Sequence, residues 1–164
     1  MRRSTNALIK LFKEKKLRLA LAESMTCGLA AHQLSTVIGT SDVLMGSIVC
    51  YHPEVKTCLL GVSRKLIEKH SAESAAVTDM LARKLVRLIE SDVHAAVTGL
   101  ASPGSSESKA KPVGTVFFSV IWKGKLHRQR KLFRGTPTTV RKKACNALYE
   151  MLIDVVKNSP EKKR

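Results

Sequence analysis

Short apolar runs alternate along this chain with segments whose apolar residues recur at helical spacing, and that alternation restricts the possible folds more than any other property. Residues 17–22, 43–51 and 93–98 read as buried strands. Ala7, Leu8, Leu11 and Phe12, set among Lys and Glu, predict an amphipathic helix over 5–16. A second helix follows the first strand to about Thr36 and ends near Gly39. His52-Pro53 opens a short helix reaching Leu60, with proline at a first-turn position. Gly61-Val62-Ser63 is a turn, and Ser63 is a candidate cap for another short helix through Lys69. Ser71-Ala72-Glu73-Ser74 opens the longest helical stretch, to about Glu90, with Val77, Met80, Leu81 and Leu85 on its core face. Segments 113–122 and 126–133 flank Lys123-Gly124-Lys125 and predict a hairpin. Thr136-Pro137 is a cap and first-turn pair for a final helix over 138–156.

The order α, β, α, β, α, α, α, β, β, β, α predicts a single layered α/β/α domain. A hairpin among crossovers makes its sheet mixed, parallel and antiparallel, with helices covering both faces. The strand order is left open. At 164 residues, 44% of them hydrophobic, the chain has the material for one core and not two. We therefore expect one domain over 1–158 and a basic, disordered tail at 159–164, and we find no internal repeat.

Lys and Arg number 29 against 13 Asp and Glu, a net charge of +16 that attracts anions generally. The cations fall into several separate groups, and only 4% of residues are aromatic, so stacking platforms for single-stranded nucleic acid are few. A solvated basic surface is the simpler reading, with a nucleic-acid-binding module as the alternative. Cys27, Cys50, Cys58 and Cys145 have neither Cys-x-x-Cys spacing nor matching Cys/His pairs for zinc. They read as reduced thiols of a cytoplasmic protein. No run approaches the length of a membrane span, and the N-terminal segment is amphipathic rather than signal-like.

Four places carry chemistry. Ser24, in Glu23-Ser24-Met25-Thr26-Cys27-Gly28, lies between a strand end and a helix start. Ser24 or Thr26 there can be an ordinary N-cap, or Ser24 can be a nucleophile surrounded by backbone N–H donors. Tyr51 ends a strand and Lys56 lies about one turn into the next helix, where a desolvated amine can serve as base for a serine hydroxyl. Thr98-Gly99-Leu100-Ala101-Ser102-Pro103-Gly104, followed by Lys111-Pro112-Val113-Gly114-Thr115, is a strand-end loop of the kind that binds ligands in α/β domains, or a plain surface loop. Arg141, after Phe133-Arg134-Gly135, can grip a phosphate bidentately or be one more surface charge.

In order and spacing these motifs resemble the C-terminal domain of competence/damage-inducible protein CinA, a family that includes standalone nicotinamide-nucleotide amidohydrolases. The likeness runs from about Lys15 to Val156. It implies conversion of nicotinamide mononucleotide to nicotinic acid mononucleotide and ammonia, in pyridine nucleotide salvage, without metal or cofactor. Ser24 would be the nucleophile, Lys56 the base and later the acid, and Tyr51 an aid to positioning the proton. Backbone N–H groups after Ser24 would form the oxyanion hole, in the turn Thr26-Cys27-Gly28. Thr98, Gly99 and Gly104 would line the nucleotide site, with Arg141 a candidate for the phosphate, and the family favours a homodimer. Three departures bear on this: Cys27 stands for the first of two usual glycines, Ser102 for another, and Thr136-Pro137 for an acidic residue and an arginine. A paralogue of the same fold with weak, altered or lost activity is therefore the alternative.

Overall fold

Strand β1 (Leu19–Glu23) is buried along its whole length, its apolar residues 19–22 followed by a buried acid, and the sheet is built outward from it. A computed structural model describes residues 2–158, so the tail at 159–164 lies outside the described residues. The elements run α1 (Arg2–Glu14), β1, α2 (Leu29–Ser35), a 3-10 turn (Thr40–Asp42), β2 (Leu44–Val49), α3 (Pro53–Cys58), α4 (Arg64–His70), α5 (Ala75–Leu85), β3 (Val93–Gly99), β4 (Thr115–Trp122), β5 (Lys125–Leu132) and α6 (Pro137–Lys157). Apart from the 3-10 turn, this is the expected order. The sheet order is β2-β1-β3-β4-β5, with β1 parallel to β2 and β3, and with β3-β4 and β4-β5 antiparallel. The expected mixed sheet in one α/β domain is the observed one.

Period-two alternation divides the core between two faces. Leu19 and Leu21 of β1, Val93, Ala95 and Val97 of β3, and Val116, Phe118 and Val120 of β4 pack with α1, α2 and α6. Ala20, Ala22 and Ala96 face the other way, against Val77, Leu81, Ala82 and Leu85 of α5. The alanines let α5 lie close on the sheet. Asp79 of α5 also accepts from Ser119 of β4 at 2.6 Å and from Arg128 of β5 at 2.7 Å, which ties that helix to the antiparallel edge.

Boundaries differ from the sequence reading where local chemistry intervenes. The first strand starts at Leu19 because Leu17 N–H closes α1 on Phe12 O, through a left-handed Lys16 with φ 53°. The stretch from Ser71 to Glu90 is not one long helix. Ser71 has φ 67°, and Ser74 Oγ accepts from Val77 N–H and caps α5 four residues inside the expected start. The longest helix is instead α6, with 21 residues, capped by Thr136 as its sequence indicates. The β4-β5 turn has positive φ at both Lys123 and Gly124, as a two-residue type I′ hairpin demands. Among the described residues no helix is long and apolar enough to cross a membrane.

Parallel register brings the carboxyl ends of three strands to one level. Glu23 pairs with Val49 of β2 and Val97 of β3. Ser24 N–H then donates to Val97 O, and Cys50 N–H donates to Glu23 O. The residues just past β1, β2 and β3 are thereby neighbours, at the strand ends where open α/β sheets bind ligands.

Candidate active site

Ser24 does not cap α2, and neither does Thr26. The donors at that helix start are satisfied by Glu23, whose carboxylate oxygens accept from Ala30 N–H at 3.0 Å and Ala31 N–H at 2.9 Å, and from Ser47 Oγ at 2.9 Å. A fully buried acid at the end of β1 thus takes the role expected of a hydroxyl, favoured by the positive helix end. The Ser24 hydroxyl is left for something else.

That partner is Lys56. Its Nζ lies 3.1 Å from Ser24 Oγ, 2.6 Å from Cys50 O and 3.0 Å from Tyr51 O, and its side chain is 0% exposed. The placement follows from α3 starting immediately after β2: His52 Nδ1 accepts from Glu54 N–H, Pro53 sets the first turn, and Lys56 comes round to face the strand ends. Burial lowers the Lys56 pKa from its ordinary 10.5, by removing water from the ammonium. Cys50, whose own thiol burial pushes up to about 11, and Glu73 act against this shift without outweighing the burial. A neutral amine has two N–H donors and one lone pair. As an ammonium, Nζ donates to both carbonyls and to Ser24 Oγ; as a neutral amine it can keep the two carbonyls and turn its lone pair to the Ser24 hydroxyl.

An open cleft of about 210 Å³ begins at Ser24 and is lined also by Met25, Tyr51, His52, Glu73 and Gly99. The expected residues divide on inspection. Tyr51 lines the cleft as a residue 55% exposed, and it is its carbonyl rather than its phenol that accepts from Lys56. Thr26 is buried, and its hydroxyl has no hydrogen-bond partner among the described residues. Gly28 adopts φ 85° at the start of α2. Gly99 lines the cleft, but the close passage of β4 is what demands glycine there: a Cβ would lie 2.6 Å from Thr115 O and 2.9 Å from Val116 Cα.

Three residues lie away from the cleft's centre. Thr98 is fully buried, and its hydroxyl pairs with Thr78 Oγ1 of α5 at 2.7 Å, so it secures the sheet to a helix. Gly104 sits on the loop rim, where its N–H and that of Ser105 donate to Glu107 at 2.8 Å each. Arg141 directs its Nε to Met25 O at 2.9 Å and braces the turn that carries Ser24. Neither Glu23 nor Glu73 is among the four places where the sequence carries chemistry. An acid ending an apolar strand was the available signal for Glu23; nothing in Ser71-Ala72-Glu73-Ser74 distinguishes Glu73 from a helix-opening acid.

The turn after Ser24 spends some of its donors on itself. Cys27 N–H donates to Ser24 O and Leu29 N–H to Thr26 O, while no backbone acceptor among the described residues faces the N–H groups of Met25 and Thr26. Cys27 has φ 53°, the angle expected to be costly for a residue with a side chain. The left-handed conformation costs a non-glycine residue about 1–2 kcal/mol, against roughly 0.5–1 kcal/mol for glycine's greater freedom when unfolded. Cys27→Gly should therefore raise stability by up to about 1 kcal/mol in urea denaturation. A loss of stability would show that the thiol contributes more than the strain costs.

The chain matches the model of the CinA C-terminal domain over residues 2–156. It is 35% identical over 136 residues to a competence-damage inducible protein from Moorella thermoacetica, covering 82% of this chain and 33% of that one. It is 40% identical over 114 residues to a CinA-like protein from Pseudothermotoga lettingae, covering 70% and 28%. The chain thus spans about a third of the length of these curated relatives. Among solved structures, competence damage-inducible protein A from Klebsiella pneumoniae superposes with a TM-score of 0.91 at 27% identity, over 97% of this chain and 98% of that one. A CinA superfamily protein from Escherichia coli superposes with a TM-score of 0.88 at 29% identity, over 94% and 89%. With family match, relatives and fold in agreement, the chain belongs to the CinA C-terminal domain family.

Proposed function

We propose that the protein hydrolyses the carboxamide of nicotinamide mononucleotide, giving nicotinic acid mononucleotide and ammonia, with Ser24 as nucleophile and Lys56 as its base. The observation that carries the reading is the 3.1 Å contact between a fully buried lysine and a serine that opens a cleft. Lysine bases need such burial, because an ordinary ammonium has no lone pair at neutral pH.

In the proposed reaction Lys56 Nζ takes the Ser24 hydroxyl proton as Oγ bonds to the amide carbon. Negative charge develops on the amide oxygen, where the N–H groups of Met25 and Thr26 are the available donors; one such donor is worth about 3 kcal/mol in comparable sites. Lys56 then returns the proton to the amide nitrogen, the C–N bond breaks and ammonia departs, leaving an ester on Ser24. Water, losing its proton to the same amine, attacks the ester; Oγ leaves with that proton, and the acid product gives up its own proton to water to become the carboxylate. The two carbonyls that hold Nζ can stay in place throughout, since both the neutral and protonated amine satisfy them.

None of the departures from the family pattern falls on Ser24 or Lys56 themselves. Pro137, the first residue of α6 after the Thr136 cap, stands where the family has an arginine, so in this reading the phosphate is held by cations elsewhere. Incubating the protein with nicotinamide mononucleotide should release ammonia and nicotinic acid mononucleotide in equal amounts. Turnover no greater than that of Ser24→Ala protein would favour the reading of a paralogue without this activity.

A further inference from the structure

The cleft beside Ser24 contains one acid among the described residues that line it, Glu73, in a chain whose net charge is +16. Its carboxylate is held in place. Ser106 Oγ donates to Glu73 Oε2 at 2.6 Å, and Lys111 Nζ donates to Ser106 Oγ at 2.7 Å and to Glu73 O at 3.0 Å. The loop after β3 is thereby fastened across the bend before α5, with the acid at the junction. Oε1 has no partner among the described residues. Glu73 and Ser24 line the same cleft, which places the carboxylate beside any ligand attacked by Ser24.

We propose that Glu73 is a specificity-determining residue that pairs with the positively charged pyridinium ring of the substrate. This rests on the reading of the cleft as a pyridine nucleotide amidase site. The argument is one of position: in such a substrate the quaternary nitrogen belongs to the same ring that bears the carboxamide, so the cation enters the cleft with the carbon that Ser24 attacks. The phosphate is repelled by a carboxylate and lies outward, toward the basic surface. Glu73 thus orients the ligand ring-first and discriminates against analogues whose ring is uncharged.

The test compares binding of nicotinamide mononucleotide with that of its reduced form, which keeps the phosphate, ribose and carboxamide but has a neutral ring. Ser24→Ala protein is used for calorimetry so that neither ligand is consumed. We expect the cationic form to bind roughly tenfold more tightly, a preference that weakens with added salt. Glu73→Gln in that background should bring the two affinities within about twofold, chiefly by weakening the cationic form, since glutamine still accepts from Ser106. Ser106→Ala, which frees the carboxylate without removing it, should lower the preference partway. Equal binding of both forms by the parent, or a preference unchanged in Glu73→Gln, would overturn the role of Glu73 while leaving the amidase reading intact. Failure of the folded protein to bind either form, together with no ammonia release by the native chain, would overturn both.

Discussion

Ser24→Ala and Lys56→Met should each lower the turnover number for nicotinamide mononucleotide by about 10³-fold or more, and the double variant should be little worse than the poorer single one. Non-additivity is the sharper part of this expectation. If Lys56 acts only by taking the serine proton, it contributes nothing once the hydroxyl is gone. Methionine is the informative replacement because it fills the volume of a buried lysine without a donor or a charge. Lys56→Met activity within tenfold of the native protein would remove the lysine from the mechanism and leave the nucleophile standing.

The same pair gives a pH signature. Only neutral Lys56 can accept the proton, so the native rate should rise with pH until the amine is deprotonated, at a pKa below 10.5, and then level off. Lys56→Met should lose that rising limb. Stability follows the same group with a definite sign. The folded state holds this proton less tightly than the unfolded chain, so the penalty of burying the ammonium is full below the folded pKa. It is relieved as pH rises from there toward 10.5. Over that window the native protein should gain stability relative to Lys56→Met in urea titrations.

Gly114→Ala should destabilise the fold by about 3 kcal/mol or more, enough to compromise folding of a domain this size. Gly114 has φ +94°, and a Cβ on it would lie 1.9 Å from Phe133 O and 3.1 Å from Phe133 C, both backbone atoms. The residue cannot retreat, because its N–H donates to Leu100 O at 2.7 Å and its carbonyl accepts from Phe133 N–H at 2.9 Å. It joins the loop after β3 to the chain leaving β5. Gly124→Ala is the control: its φ is +73°, yet a Cβ there meets nothing within 4 Å, so only the conformational cost of about 1–2 kcal/mol remains. Equal losses for the two variants, by urea denaturation, would show that backbone angle and not the approach of Phe133 decides.

That contrast marks a boundary of sequence reading. Gly114 and Gly124 are both turn glycines next to a strand, and what separates them is a carbonyl contributed from residue 133. Thr98 and Arg141 make the same point. A threonine at a strand end and an arginine early in a helix have the right chemistry for a nucleotide, but Thr78 and the Met25 carbonyl occupy them. Ser24 went the opposite way. As an isolated hexapeptide its simplest role was a cap, and Glu23, one residue earlier, provides that function because it is buried against the start of α2.

By itself the sequence determined the order of elements and their class. Burial on both faces writes a largely apolar run for β1 and β3, a helix with one wet side writes a 3.6-residue period, and Lys123-Gly124 writes a hairpin, all from local chemistry. It also supplied Ser24, Tyr51 and Lys56 as the candidate reactive groups. Only the tertiary structure decided the strand order, and with it that β2 lies beside β1, so that α3 returns Lys56 to the end of the strand carrying Ser24. The physical reason is desolvation: a lysine becomes a base by losing water, and what takes water from Lys56 is packing among Ser24, Cys50 and Tyr51, contacts between segments up to 32 residues apart.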